Sequence, residues 1–138
     1  MQEPECADNL LAPLAALNVG DPAGLGVGRA NYRTADPAML DAAKAASMAD
    51  ATDEQFRALL NLLQPDESPA VMAAGARGHA NTWGTIARTY IRLTSDRTLP
   101  VAMQDRLIAE GDALTPDNTY DVHSLDTGHT GFPCSPRS

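Results

Sequence analysis

The sequence predicts an α/β chain that is mostly helical, with a helical segment followed by a strand, a helix and a second strand of a parallel sheet. Three observations predict it. The 138 residues include 24 alanines and 15 leucines but only 5 valines and 3 isoleucines. β-branched aliphatics are the usual filling of buried parallel strands, so this chain can furnish few of them. Capping residues and apolar spacing are helical from Asp36 to Gly78, whereas from Trp83 two short β-rich runs flank a single helix. The length is that of one domain able to bury a sizeable core. A formal net charge of −8 excludes nucleic acid and anionic membrane surfaces as partners, since both need a basic patch. The acids crowd into the first half, where residues 1–67 hold 11 against 4 bases, while residues 68–138 hold 7 against 6. No run approaches the roughly 18 consecutive apolar residues of a membrane span, and the start, MQEPECADN, is acidic where a secretory signal is basic. These features point to the cytoplasm. Cys6 and Cys134 lie at opposite ends with no CxxC spacing, which indicates neither a disulfide framework nor a thiolate metal site.

Residues 1–35 read as a connecting segment. Leu10, Leu11, Leu14 and Leu17 form a short apolar run, and the glycine-rich stretch Gly20 to Gly28 reads as loop or linker. The spacing Gly24-Leu-Gly26-Val-Gly28 is not a phosphate-binding fingerprint, because no strand precedes it and no helix follows. Asp36-Pro37 supplies an N-cap and a first-turn proline for a helix running to about Met48. Thr52 with Gln55 is a capping box opening a second helix, whose Phe56, Leu59, Leu60 and Leu63 fall at i, i+3, i+4 and i+7 and which ends before Pro65. Ser68-Pro69 starts a short third helix through Met72 and Ala74, with Gly75 and Gly78 to end it. Next, Thr89 to Thr94 reads as a strand bounded by Ser95-Asp96. Pro100 opens a helix carrying Val101, Met103, Leu107 and Ile108, with Gly111 placed to end it. Tyr120 to Leu125 reads as the second strand, followed by the loop Asp126-Thr127-Gly128-His129. Strand, helix and strand within about forty residues suit a parallel crossover. Asp96 and His129 then stand past the C-terminal ends of the two strands, the edge where ligands and catalytic groups gather in open α/β sheets.

These residues resemble a known family. Trp83-Gly-Thr-Ile-Ala-Arg88-Thr-Tyr90-Ile91, then Ser95-Asp96, Leu99-Pro100 with Gln104, and Asp126-Thr-Gly-His129 are similar to the last third of α/β-hydrolases, in the branch of small esterases and hydroxynitrile lyases. The likeness is strongest over Trp83 to Phe132. Residues 36–82 resemble the helical cap of that family, and residues 2–18 the connection leaving its sixth strand. The resemblance implies residues 83–138 as the C-terminal strand-helix-strand part of the hydrolase core, Asp96 as the triad acid and His129 as the triad base. It implies a small-molecule ester as substrate and no cofactor or metal. A carboxylate on one ring nitrogen fixes the tautomer whose other nitrogen takes the nucleophile's proton, and acid before histidine is the family's chain order. One departure is local, since His129 is followed by Thr-Gly-Phe132 where the branch has proline before the phenylalanine.

The nucleophile is missing from the pattern. None of Ser47, Ser68, Ser95, Ser124, Ser135 and Ser138 sits in a Gly-x-Ser-x-Gly elbow, Cys134 follows the histidine in a polar tail, and no glycine-rich oxyanion loop is present. The expectation is a C-terminal fragment of an α/β-hydrolase that is inactive alone, marginal in stability, and prone to self-association through its exposed sheet edge. Two other readings compete. A non-catalytic, mostly helical interaction protein would dock a partner through the stripe Phe56, Leu59, Leu60, Leu63. A metal site from His79, His123 and His129 has little support, because they show no i, i+4 pairing and no thiolate partners.

Overall fold

The computed structural model describes residues 15–70, 74–75 and 77–130. In the first half, Asp21 accepts hydrogen bonds from the Ala23 and Gly24 N–H groups, Pro22 occupies the first turn, and Gly26 at φ 70° ends a one-turn helix α1, Pro22–Leu25. The glycine-rich stretch, expected as loop, thus contains a capped helical turn. Strand β1, Gly28–Arg29, then pairs antiparallel with β2, Asp66–Glu67, with Gly28 opposite Glu67 and Arg29 opposite Asp66. The sequence reading contained neither strand, since two residues carry no periodicity. A two-pronged ion pair bridges the two strands, Arg29 Nε and Nη2 to the two Asp66 carboxylate oxygens at 2.6 and 2.7 Å. That contact holds the Asp66 carboxyl below its ordinary range, and hydrogen bonding to Lys44 does the same for Asp53.

Between these strands run two helices, α2 (Pro37–Ser47) and α3 (Asp53–Leu62). Asp36 caps α2 through the Ala38 and Met39 N–H groups. Thr52 and Gln55 form the expected reciprocal box at the start of α3. The core of this half is Leu17, Ala43, Met48, Ala51, Phe56 and Leu60, with Tyr32, Met39, Leu40 and Leu59 packed against it. The apolar stripe of α3 therefore turns Phe56 and Leu60 into the chain's own core, while Leu63 stays 38% exposed. Pro69 and Ala70 are helical. Val71, Met72 and Ala73, and with them the course of the expected third helix, lie outside the described residues.

In the second half, a 3-10 turn at Trp83–Thr85 leads to β3 (Thr89–Leu93), α4 (Val101–Leu114) and β4 (Asp121–Leu125). Strands β3 and β4 pair in parallel from Thr89 opposite Asp121 to Leu93 opposite Leu125, the mixed α/β arrangement expected. Arg92 ties the sheet to α4, donating from Nη1 to Asp105 at 2.7 Å and from Nε to the Ser124 hydroxyl at 3.1 Å. Both strands remain open to solvent: Ile91, Val122 and Leu125 are 39%, 39% and 42% exposed. Among the described residues no helix is long and apolar enough to cross a membrane.

Gly111 does not end its helix. α4 continues through it to Leu114, because this glycine is a packing position: a Cβ there would lie 2.6 Å from Tyr120 Cε2 and 3.5 Å from the Trp83 ring. Tyr120 stacks edge-on to Trp83 and to Tyr90, with centroids 6.2 and 5.8 Å away. Alanine is the better helix former by about 1 kcal/mol, yet Gly111→Ala is expected to destabilise the chain by about 1–2 kcal/mol through overpacking. A urea midpoint that rises in Gly111→Ala would contradict this packing role.

Candidate active site

The turn after β3 presents Asp96 through local hydrogen bonding. Its Oδ1 accepts from the N–H groups of Thr98 and Leu99, both at 2.8 Å. The spacing Asp96-x-Thr98-Leu99 is an Asx-type turn, in which the carboxylate takes the place of a backbone carbonyl. One oxygen is thereby fixed and the other is aimed: Oδ2 lies 2.8 Å from Nδ1 of His129. The Asp96 side chain is only 2% exposed and that of His129 is 39% exposed. A carboxylate buried this deeply must be satisfied, and here two backbone donors and an imidazole satisfy it. The negative charge of Asp96 also reaches Tyr90, whose phenol burial first and Asp96 second push above its ordinary pKa.

The loop after β4 is held in register with this turn. The Thr94 N–H donates to the Leu125 carbonyl, the Ser95 N–H to the Thr127 carbonyl, and the Ser95 hydroxyl to Asp126 at 2.6 Å. Further anchors come from the end of α2, whose last carbonyls have no helical partner. Thr98 Oγ1 donates to Ala46, and Thr130 donates to Ser47 from both its N–H and its hydroxyl. Thr127 donates to Asp50 at 2.8 Å. Gly128 fits closely beneath, since a Cβ there would lie 3.2 Å from Asp50 Oδ1. The acid and histidine turns are thus clamped to each other and to the C-terminal end of α2 by hydroxyl donors. Sequence reasoning singled out Asp96 and His129 but not Thr98, Thr127, Thr130 or Asp50. The only legible signal was the Asp-x-Thr spacing.

A second aspartate–histidine contact serves as an internal comparison. His123 Nε2 lies 3.0 Å from Asp121 Oδ2, but the two side chains are 60% and 74% exposed and sit two residues apart on β4. Water competes for both groups, so that contact fixes neither ring nor charge. At His129, where Nδ1 faces a carboxylate, the neutral ring carries its proton on Nδ1 and leaves Nε2 as the acceptor. Among the described residues Nε2 makes no hydrogen bond.

Of the four described serines, Ser68 is exposed at the surface and the other three are otherwise engaged. Ser47 Oγ donates to the Ala43 carbonyl, Ser95 Oγ to Asp126, and Ser124 Oγ accepts from Arg92. Ser135, Ser138 and Cys134 lie outside the described residues. His79, the third member of the imagined metal set, hydrogen bonds through its backbone carbonyl to Thr82 and Gly84. Among the described residues no cluster of His, Cys, Asp and Glu forms a metal cage.

Comparison of the chain with protein-family models gave no match, and comparison with curated proteins gave none either.

Proposed function

We propose that this chain carries the acid and base of an α/β-hydrolase-like acyl-transfer triad, and that it hydrolyses a small-molecule ester once a serine from outside these 138 residues completes the site. One observation carries the reading: the buried Asp96 carboxylate, held by two backbone N–H groups, faces His129 Nδ1 at 2.8 Å. A serine nucleophile needs an acceptor for its proton, and an imidazole whose Nδ1–H faces a carboxylate offers one at Nε2. In the completed site the serine oxygen bonds to the ester carbon as its proton moves to Nε2. Asp96 stabilises the resulting imidazolium, which then gives the proton to the departing alkoxide. Water repeats the sequence against the acyl-serine and releases the carboxylic acid. Oxyanion donors come with the serine, since backbone N–H groups beside the nucleophile supply them in such sites.

The competing reading, partner docking through the stripe of α3, has less support. Phe56 is 3% exposed and Leu60 7%, so a partner would have to unseat both from the core they already fill.

The experiment combines the chain with a separately expressed N-terminal half of a small esterase bearing Gly-x-Ser-x-Gly and ending after its sixth strand. Hydrolysis of a p-nitrophenyl ester is expected from the mixture and from neither component alone. A stable complex with no turnover above background would sink the proposal. Turnover by the 138-residue chain alone that vanishes in both His129→Ala and Asp96→Asn would mean that the nucleophile lies within it.

A further inference from the structure

Gln104 sits in the first turn of α4, where a glutamine would ordinarily face water, yet it is 1% exposed. All the hydrogen-bonding capacity it uses goes to one turn of backbone. Oε1 accepts from the Leu93 N–H at 2.9 Å, and Nε2 donates to the Leu93 carbonyl at 2.9 Å and to the Leu99 carbonyl at 2.7 Å. A primary amide that pairs with both the N–H and the C=O of one residue imitates the peptide of a neighbouring strand. At Leu93, the last residue of β3, it occupies the position a further strand would take.

Leu93 and Leu99 are the two ends of the turn that carries Asp96. The Leu93 carbonyl also accepts from the Asp96 N–H at 3.4 Å, and the Leu99 N–H is one of the two donors to Asp96 Oδ1. One buried side chain therefore closes the turn from both sides, and Leu99, whose N–H grips Asp96, is itself gripped through its carbonyl by Gln104. We propose that Gln104 is the positioning residue of the Asp96–His129 pair: by bridging Leu93 to Leu99 it sets the direction in which Asp96 Oδ2 points. The inference rests on the reading above only in treating that pair as the reactive one.

Neither obvious substitute can do the same. Gln104→Ala leaves three backbone groups of the turn, two of them buried, without this partner. Gln104→Glu keeps the volume and the acceptor for Leu93 N–H but has no donor for the two carbonyls and sets a negative charge against them. The test is a long-range ¹H–¹⁵N imidazole spectrum of the full chain, with His79, His123 and His129 assigned through single His→Gln variants. The wild-type chain is expected to show His129 with its proton on Nδ1, shifted downfield and slow to exchange. In Gln104→Ala and Gln104→Glu that proton resonance is expected to be lost, with the backbone amides of α4 and β4 still dispersed. Gly111→Ala, which disturbs the same helix away from the turn, is expected to keep it. Three results would overturn the proposal: an unchanged His129 signal in both Gln104 variants, its absence from the wild type, or collapse of the α4 and β4 resonances together with it, which would make Gln104 a folding residue. The spectrum is blind to whether a serine ever joins the pair. Failure here and failure of ester turnover in the completed protein are therefore separate outcomes.

Discussion

Replacing Asp96 by asparagine is expected to lower ester turnover of the completed site roughly 10⁴-fold, the scale of tautomer loss in such triads, with little change in fold. Asparagine keeps an oxygen for the Thr98 and Leu99 N–H groups, so the turn survives. What changes is the atom facing His129. An amide NH₂ in place of Oδ2 donates to Nδ1, and the ring proton moves to Nε2, the nitrogen that has to accept the serine's proton. The imidazolium also loses its counter-charge. Asp96→Ala should behave differently. It leaves two N–H donors and the ring nitrogen unpaired at a site where the side chain is 2% exposed, and a loss of stability of about 1–3 kcal/mol is expected for each buried group left unsatisfied. Steady-state kinetics and a urea titration on the two variants separate the effects. Equal turnover of Asp96→Asn and wild type would remove Asp96 from the mechanism.

A second large stability effect is expected at Arg88. Its guanidinium lies 4.0 Å from the centre of the Trp83 ring and 4.5 Å from that of Tyr120, and Nη2 donates to both the Thr115 hydroxyl and the Asn118 carbonyl. Asn118 in turn donates from Nδ2 to the carbonyls of Gly84 and Ile86 at 2.7 and 2.9 Å. Arg88 thus joins the turn before β3 to the loop between α4 and β4. Hydrogen bonds from a charged donor contribute about 1.5–3 kcal/mol each, and each cation–π contact about 0.5–2. Against this stands the cost of burying Nε and Nη1, which have no hydrogen-bond partner among the described residues. The net loss in Arg88→Ala is expected to be on the order of 3 kcal/mol, read as a lowered urea midpoint. Arg88→Lys should recover little of it, because an ammonium has neither the flat faces for two rings nor the forked donors. A midpoint within about 0.5 kcal/mol of wild type, the range of an ordinary surface substitution, would show that the cluster is incidental.

Cap signals were the most legible part of the fold. Asp36-Pro37 and the Thr52/Gln55 box act within four residues, and α2 and α3 begin where those signals stand. The β3–α4–β4 order was legible because composition switches abruptly at Thr89 and Tyr120. Gly111 misled because a glycine near a helix end has two physical uses, a left-handed cap or close approach of a neighbour, and only the position of Tyr120 distinguishes them. β1 and β2 were invisible since Arg29 and Asp66 are far apart in the chain and their strands too short to alternate. At the site, Asp96 and His129 were singled out by their places past the two strand ends and, for their roles, by the family resemblance. The hydroxyl clamps from Thr98, Thr127 and Thr130 to α2 and Asp50 depend on how the two halves of the chain meet, which no local pattern records.

The proposed function requires that His129, held by the buried Asp96 carboxylate, moves the proton, and that a histidine merely beside an aspartate does not suffice. The most direct measurement is kcat/KM for a p-nitrophenyl ester in the completed protein, comparing His129→Ala with His123→Ala. The two histidines each contact an aspartate, at 2.8 and 3.0 Å, and differ in burial and in what holds the carboxylate. A fall of roughly 10⁴-fold or more in His129→Ala, with His123→Ala within twofold of wild type, is the expected result. Equal effects from the two substitutions, or retention of activity without His129, would rule out His129 as the base.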